Sequence, residues 1–201
     1  MPGFFITLEG TEGCGKSTLM GNLSSRLEAD GHSVVQLREP GGTESGEEIR
    51  KLLKHGPDNL TPEAELLLMN ASRAQLVREV IRPALDKGKI ILCDRFYDST
   101  TAYQGHGRGL DLNLVQSVID LAVGDTIPDF TLFLKIPLDV SEDRQSKRSG
   151  TDRFESNDRS FFERVSNGYQ TIAAAYPDRI SIIDGTQPID SVTDLCCGFI
   201  L

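Results

Sequence analysis

The 201 residues carry 21 Lys+Arg against 30 Asp+Glu, a formal charge of −9, with 38% hydrophobic and 25% charged residues. That is the balance of one globular domain, long enough to bury roughly 70% of its unfolded surface without staples. It argues against the basic face that a nucleic-acid backbone requires, and no apolar run approaches the roughly 18 residues of a membrane span.

The opening MPGFFITLEG has a short apolar run and no basic region before it, so it reads as a first strand and not as an export signal. Strand patterns follow one another at Phe4 to Glu9, Ser33 to Leu37, Ile90 to Asp94, Thr131 to Ile136 and Ile180 to Ile183. Helical patterns run from Lys16 to Ala29, Thr43 to Lys54, Pro62 to Lys87, Asn113 to Val123, Leu138 to Lys147, Asp158 to Tyr176 and Ile189 to about Ile200. Thr61-Pro62 is a capped helix start, Gly31 and Gly88 are stops, and Pro83 should kink or end the long helix that contains it. The alternation predicts an α/β domain over residues 1–201, with a parallel sheet between helices. Arg144, Lys147, Arg148, Arg153 and Arg159 crowd one stretch, and residues at about 143–157 read as a mobile basic flap. A solvated helix–helix turn is the plainer alternative. Cys14, Cys93, Cys196 and Cys197 are too scattered for a disulfide framework and form no CxxC pair. Cys93 reads as a small buried apolar residue, and a reducing cytoplasm is the expected location.

Gly10-Thr11-Glu12-Gly13-Cys14-Gly15-Lys16-Ser17 matches G-x-x-x-x-G-K-[ST] at every fixed position, after a strand and opening a helix. Glycines let successive backbone N–H groups turn inward on an anion, and the helix N-terminus adds positive potential. Lys16 reaches the β- and γ-phosphates, Ser17 offers a hydroxyl to Mg²⁺, and Thr18 completes the expected ATP-binding run. Asp94, ending an apolar strand, is the second expected magnesium ligand. Arg95 follows it where a water-activating ATPase would place a second acid. A cation there suits a second anionic substrate, whose phosphate is already ionised and needs no general base.

At this point the chain resembles the thymidylate kinase (dTMP kinase) family over most of its length. The carrying segments are GTEGCGKS, Arg38-Glu39-Pro40-Gly41-Gly42-Thr43, NASRAQLV around Arg73, DRFYDSTTAYQG from Asp94 to Gly105, and Asp152-Arg153-Phe154-Glu155. The resemblance implies a three-layer P-loop NTPase fold like that of nucleoside monophosphate kinases, with a five-stranded parallel sheet. It also implies ATP and dTMP as substrates, Mg²⁺ and a homodimer. It puts Glu39, Arg50, Arg73 and Arg95 at the monophosphate, the arginines as bidentate forks. Ser99, Thr100 and Gln104 would face the pyrimidine and Tyr103 the deoxyribose. The phosphate loop holds no arginine, as in the bacterial flap-arginine type, so Arg148 and Arg153 become the expected catalytic cations beside Lys16 and Arg95, with Arg144 a weaker choice. Met69 stands where the family usually stacks a Phe on thymine, so a modified pyrimidine monophosphate such as 5-hydroxymethyl-dUMP, or dUMP, is the alternative substrate. A deoxynucleoside kinase and a non-catalytic nucleotide-binding module are the other readings. Three arginines at the acceptor count against the first, and the presence of Lys16, Asp94 and the flap arginines against the second.

Overall fold

The apolar runs pair side by side into one sheet of five parallel strands: β1 (Phe4–Glu9), β2 (Val34–Arg38), β3 (Ile90–Asp94), β4 (Phe130–Lys135) and β5 (Ile180–Asp184). Their spatial order is β2-β3-β1-β4-β5. The structure is a computed structural model and describes residues 3–57, 59–147 and 157–200. Leu8 of β1 pairs with Asp94 of β3 and Glu9 with Phe133 of β4, so the carboxyl ends of the central strands finish together. Ligands bind at such ends in open parallel sheets.

Strand alternation sorts β1 between two helical layers. Ile6 and Leu8 face Leu19, Leu23 and Leu27 of α1 (Lys16–Ala29) and Val192 and Cys196 of α9 (Ile189–Ile200). The three leucines recur at helical spacing, and burying each stabilises the layer by about 1.5–3 kcal/mol. Phe5 faces the opposite layer, with Leu66 and Leu76 of α3 (Pro62–Leu76) and Val115 and Ile119 of α6 (Leu112–Val123). Thr7 and Glu9 share that second face by the same period. Thr7 and Thr131 hydroxyls pair at 2.8 Å, and Glu9 reaches the site. Beyond it, Phe133 stacks on Tyr169 of α8 (Arg159–Ala175), ring centroids 5.1 Å apart.

Two stretches differ from their sequence patterns. The helix around Pro83 does not end at the proline: α3 passes through a π-helical turn, Val77–Ile81, into α4 (Arg82–Asp86). Pro83 lacks an N–H and crowds the carbonyl one turn back, and the wider turn before it absorbs both faults. Residues 95–112, outside every predicted pattern, contain α5 (Tyr97–Thr100) and a second π-helical segment, Thr101–Gly107. Three glycines and successive threonines mask the helical period there, and tertiary contacts decide the conformation.

Helix α2 (Glu44–His55) begins under Thr43, whose Oγ1 accepts from Gly46 N at 3.0 Å. Helix α7 (Leu138–Ser146) contains Arg144, and α8 begins under Asp158, which accepts from Phe161 N at 2.8 Å. Arg159 donates to Asp139 and Glu142, tying α8 back to α7. The expected flap therefore starts inside α7, and Asn157 at its far end lies two residues before α8. The expected flap arginines, Arg148 and Arg153, lie outside the described residues. All four cysteines are free and buried, and no helix among the described residues is long and apolar enough to cross a membrane. Cys196 and Cys197 pack the last helix, α9, into the layer around α1.

Candidate active site

The Gly10–Ser17 loop leaves β1 and enters α1. Gly10 has φ 139°, and a Cβ there would fall on the Leu134 carbonyl and 2.8 Å from Cys14 Sγ. Gly15 caps α1 at φ 104°, a conformation that side chains resist. The first turn of α1 holds no acidic residue, so its positive end is left for a ligand. Lys16 Nζ donates to the carbonyls of Gly10 at 3.1 Å and Thr11 at 3.2 Å, folded over the loop. Two outward carbonyls are bound from α7: Ser141 Oγ donates to Glu12 O at 2.6 Å, and Arg144 donates to Gly13 O at 3.0 Å and to Gly185 O. Arg144, the weaker flap candidate, thus braces the loop from a helix.

Ser17 Oγ donates to Asp94 Oδ2 at 3.1 Å. Two hard oxygens at that spacing fit magnesium, because adjacent oxygens of an octahedron with ~2.1 Å bonds lie about 3 Å apart. Among the described residues no group of three His, Cys, Asp or Glu is placed to hold a metal, so phosphate and water oxygens would have to complete the shell.

Arg95 sits just past β3 with φ 72°, a left-handed conformation that costs a non-glycine residue about 1–2 kcal/mol. Its N–H is held by Leu8 O at 2.9 Å, and the turn aims the side chain back across the strand ends. The guanidinium donates to Ser99 Oγ and Tyr169 OH, both at 3.1 Å, to Glu12 Oε1 at 2.9 Å and to Tyr103 OH at 3.2 Å. Tyr103 OH donates in turn to Glu12 at 2.8 Å. Behind this cluster Glu9, fully buried, accepts from Ser99 Oγ at 2.6 Å, Phe96 N at 2.7 Å and Tyr169 OH at 2.9 Å. Burial and the nearby Asp98 carboxylate push the Glu9 carboxyl up to about 7, against the pull of Ser99 and Arg95. Burial also pushes the Tyr103 and Tyr169 phenols well up, so both remain neutral donors. Arg179 holds the underside, donating to both Asp98 oxygens at 2.7 and 2.8 Å.

Arg73 is paired within the chain. It is 2% exposed, and its Nε and Nη2 fork Glu39 at 2.8 and 2.6 Å. Its Nη1 goes to Asn70 Oδ1 and Thr100 Oγ1. This fork is filled by a carboxylate of the chain itself. Burial raises the Glu39 carboxyl against the pull of Arg73, and its Oε1 is buried with no hydrogen-bond partner among the described residues. Arg50 Nη1 donates to Pro40 O at 2.8 Å, and Gln104 Nε2 donates to Glu65 at 2.7 Å.

One cleft runs along all of this. Glu12, Gly13, Gly15, Lys16, Ser17 and Thr18 line one end, with Gly10, Thr11 and Cys14 buried behind. Glu39, Arg50, Met69, Arg73, Arg95, Ser99, Thr100, Tyr103 and Gln104 line the other, and Asp94 lies in the same wall. Arg38, Pro40, Lys54 and Phe96 line it too, without having been assigned a site role in the sequence. Glu9, Glu65 and Tyr169 were missed. Glu9 carried a signal, a carboxylate ending an apolar strand run, whereas the other two look like ordinary helix residues until their partners are known.

The thymidylate kinase family model matches residues 8–195. A thymidylate kinase of Pseudomonas fluorescens (strain SBW25) is 48% identical over 193 residues, 96% of this chain and 92% of its own. One from Kosmotoga olearia is 46% identical over 188 residues, 94% and 90% of the two chains. The crystal structure of a thymidylate kinase from Ehrlichia chaffeensis superposes with a TM-score of 0.82 at 32% identity, covering 100% of both chains.

Proposed function

The chain belongs to the thymidylate kinase family, and on that premise we propose how its cleft carries a phosphoryl group from ATP to dTMP. The products are ADP and dTDP. The phosphate loop, the open end of α1 and Lys16 receive the β- and γ-phosphates of ATP. Arg95 and Arg50 meet the acceptor phosphate, and Met69, Thr100 and Gln104 line the ring end, with Tyr103 against the sugar. Arg73 acts at the ring end through Glu39 and Thr100. Because the acceptor phosphate is already anionic, the carboxylates near it have no proton to remove. Glu12 and Glu9 serve as anchors that aim Arg95. Arg148 and Arg153 supply flap cations over the migrating group and exclude water. Ser17 and Asp94 would hold Mg²⁺, which when bound would offset phosphate charge.

The observation that carries this reading is the Arg95 guanidinium, fixed by Glu12, Ser99, Tyr103 and Tyr169 in the cleft that the phosphate loop opens into. Arg95→Ala should raise KM for dTMP about 100-fold and change KM for ATP by less than about twofold. An unchanged KM for dTMP overturns the assignment.

The chain also works as a homodimer in this reading. Helices α3 and α6 pack together and carry exposed Leu67, Leu114 and Leu121, the last 79% exposed. Leu121→Glu should shift sedimentation toward the monomer. Four unpaired buried thiols suit the reducing cytoplasm.

A further inference from the structure

Gln104 is 1% exposed and lines the cleft, and its amide is held from behind by Glu65, itself 1% exposed. Glu65 lies one turn before Met69 and two before Arg73 on α3, so all three share a helix face. Its carboxylate accepts from Gln104 Nε2 at 2.7 Å, from Arg108 Nε at 3.2 Å and from Arg108 Nη2 at 3.1 Å. Arg108 is fixed in its turn: it lies over the Phe161 ring, 4.6 Å from the centroid, and donates to Asn157 Oδ1 at 2.6 Å. Gln104 belongs to the π-helical segment, and Arg108 directly follows it, which brings both side chains onto one carboxylate.

We propose that Glu65 is a positioning residue that sets which way the Gln104 amide faces, and so selects pyrimidines presenting a ring N–H over those presenting a bare ring nitrogen. The inference rests on the reading above in which Gln104 meets the base. A carboxylate in a salt bridge only accepts hydrogen bonds, so the amide nitrogen must face Glu65. The carbonyl oxygen is then the end left for the cleft. A thymine or uracil ring donates its N3–H to that oxygen. Cytosine would set a lone pair against it in a buried site, a mismatch of the kind that proteins reject most strongly. Glu65 never touches the substrate. It discriminates by forbidding the amide to turn over.

Glu65→Gln keeps the volume but can donate as well as accept, which frees Gln104 to flip. The ratio of kcat/KM for dTMP over dCMP should fall at least about tenfold, with KM for ATP changed less than about twofold. Glu65→Asp, which still only accepts, should retain most of the ratio. An undiminished ratio in folded Glu65→Gln, or equal losses of it in both variants, overturns the proposal. Gln104→Leu tests the underlying reading separately: if kcat/KM for dTMP is unchanged, the base does not meet Gln104 at all. Should Glu65→Gln not fold, nuclear magnetic resonance on the native protein decides. Adding dTMP should shift the Gln104 carbonyl carbon and leave its side-chain NH₂ protons slowly exchanging. Loss of that protection on binding would mean that the amide turns over, and the proposal fails.

Discussion

The two ends of the cleft are built from different materials. At the phosphate loop the working groups are backbone N–H vectors, a helix end and Lys16, set by glycines with positive φ. At the opposite end they are side chains paired in buried or half-buried ion pairs: Glu39 with Arg73, Glu12 with Arg95, Glu65 with Arg108, and Asp98 with Arg179 beneath. The N–H groups of a backbone cradle come from eight consecutive residues. A paired side-chain wall belongs to the whole fold, because its partners arrive from segments far apart in sequence. Function and stability should therefore separate at the first end and stay entangled at the second.

Lys16→Ala is the widest test of that difference. It should lower kcat by about 1000-fold in a coupled assay, while urea denaturation moves by less than about 1 kcal/mol. A comparable loss of stability would erase the contrast. Arg73→Met should do the reverse: it strands the Glu39 carboxylate in the interior and costs about 3–5 kcal/mol of folding free energy. Adding Glu39→Leu to the same chain should reduce that cost to under about 2 kcal/mol, since an apolar pair replaces an ion pair.

Glu9 sharpens the comparison through pH. Its carboxyl is raised from 4.5 to about 7 by burial and by Asp98. Below pH 4.5 folded and unfolded chains both hold this proton, and between 4.5 and about 7 only the folded chain does. Stability must then fall as pH rises through that window and level off above it, a change on the order of 3 kcal/mol from this one group. Thermal melts of Glu9→Gln against the parent should show the slope flattened, and parallel curves would refute it. The smallest expected effect is Thr43→Ala, which removes the cap of the helix carrying Arg50 and costs about 1 kcal/mol in the same denaturation measurement.

The same contrast explains what could be read without coordinates. The strands, the loop and Asp94 were legible because apolar runs and the G-x-x-x-x-G-K-S spacing are local signals. Residues 97–107 were not, because their helical geometry is enforced by α8 and α6 and not by their own period. Arg73 was legible as a site residue but not in its partner, since Glu39 lies 34 positions away. Glu65 and Tyr169 had no signal at all: their importance consists of what they touch. Cys93 was the opposite case, a strand-end thiol read as buried and found at 0% exposure, with burial pushing its pKa well up.

Arg144 joins the carbonyl of Gly13 to that of Gly185, and Ser141 takes the carbonyl of Glu12. The loop at residues 10–17 thus leaves the ribosome well before it can be finished. Its outer carbonyls wait for donors that are translated more than a hundred residues later, and one of those donors is shared with the turn after the final strand. A nascent chain halted before residue 141 would carry the complete nucleotide motif and still lack both donors that brace its outer carbonyls.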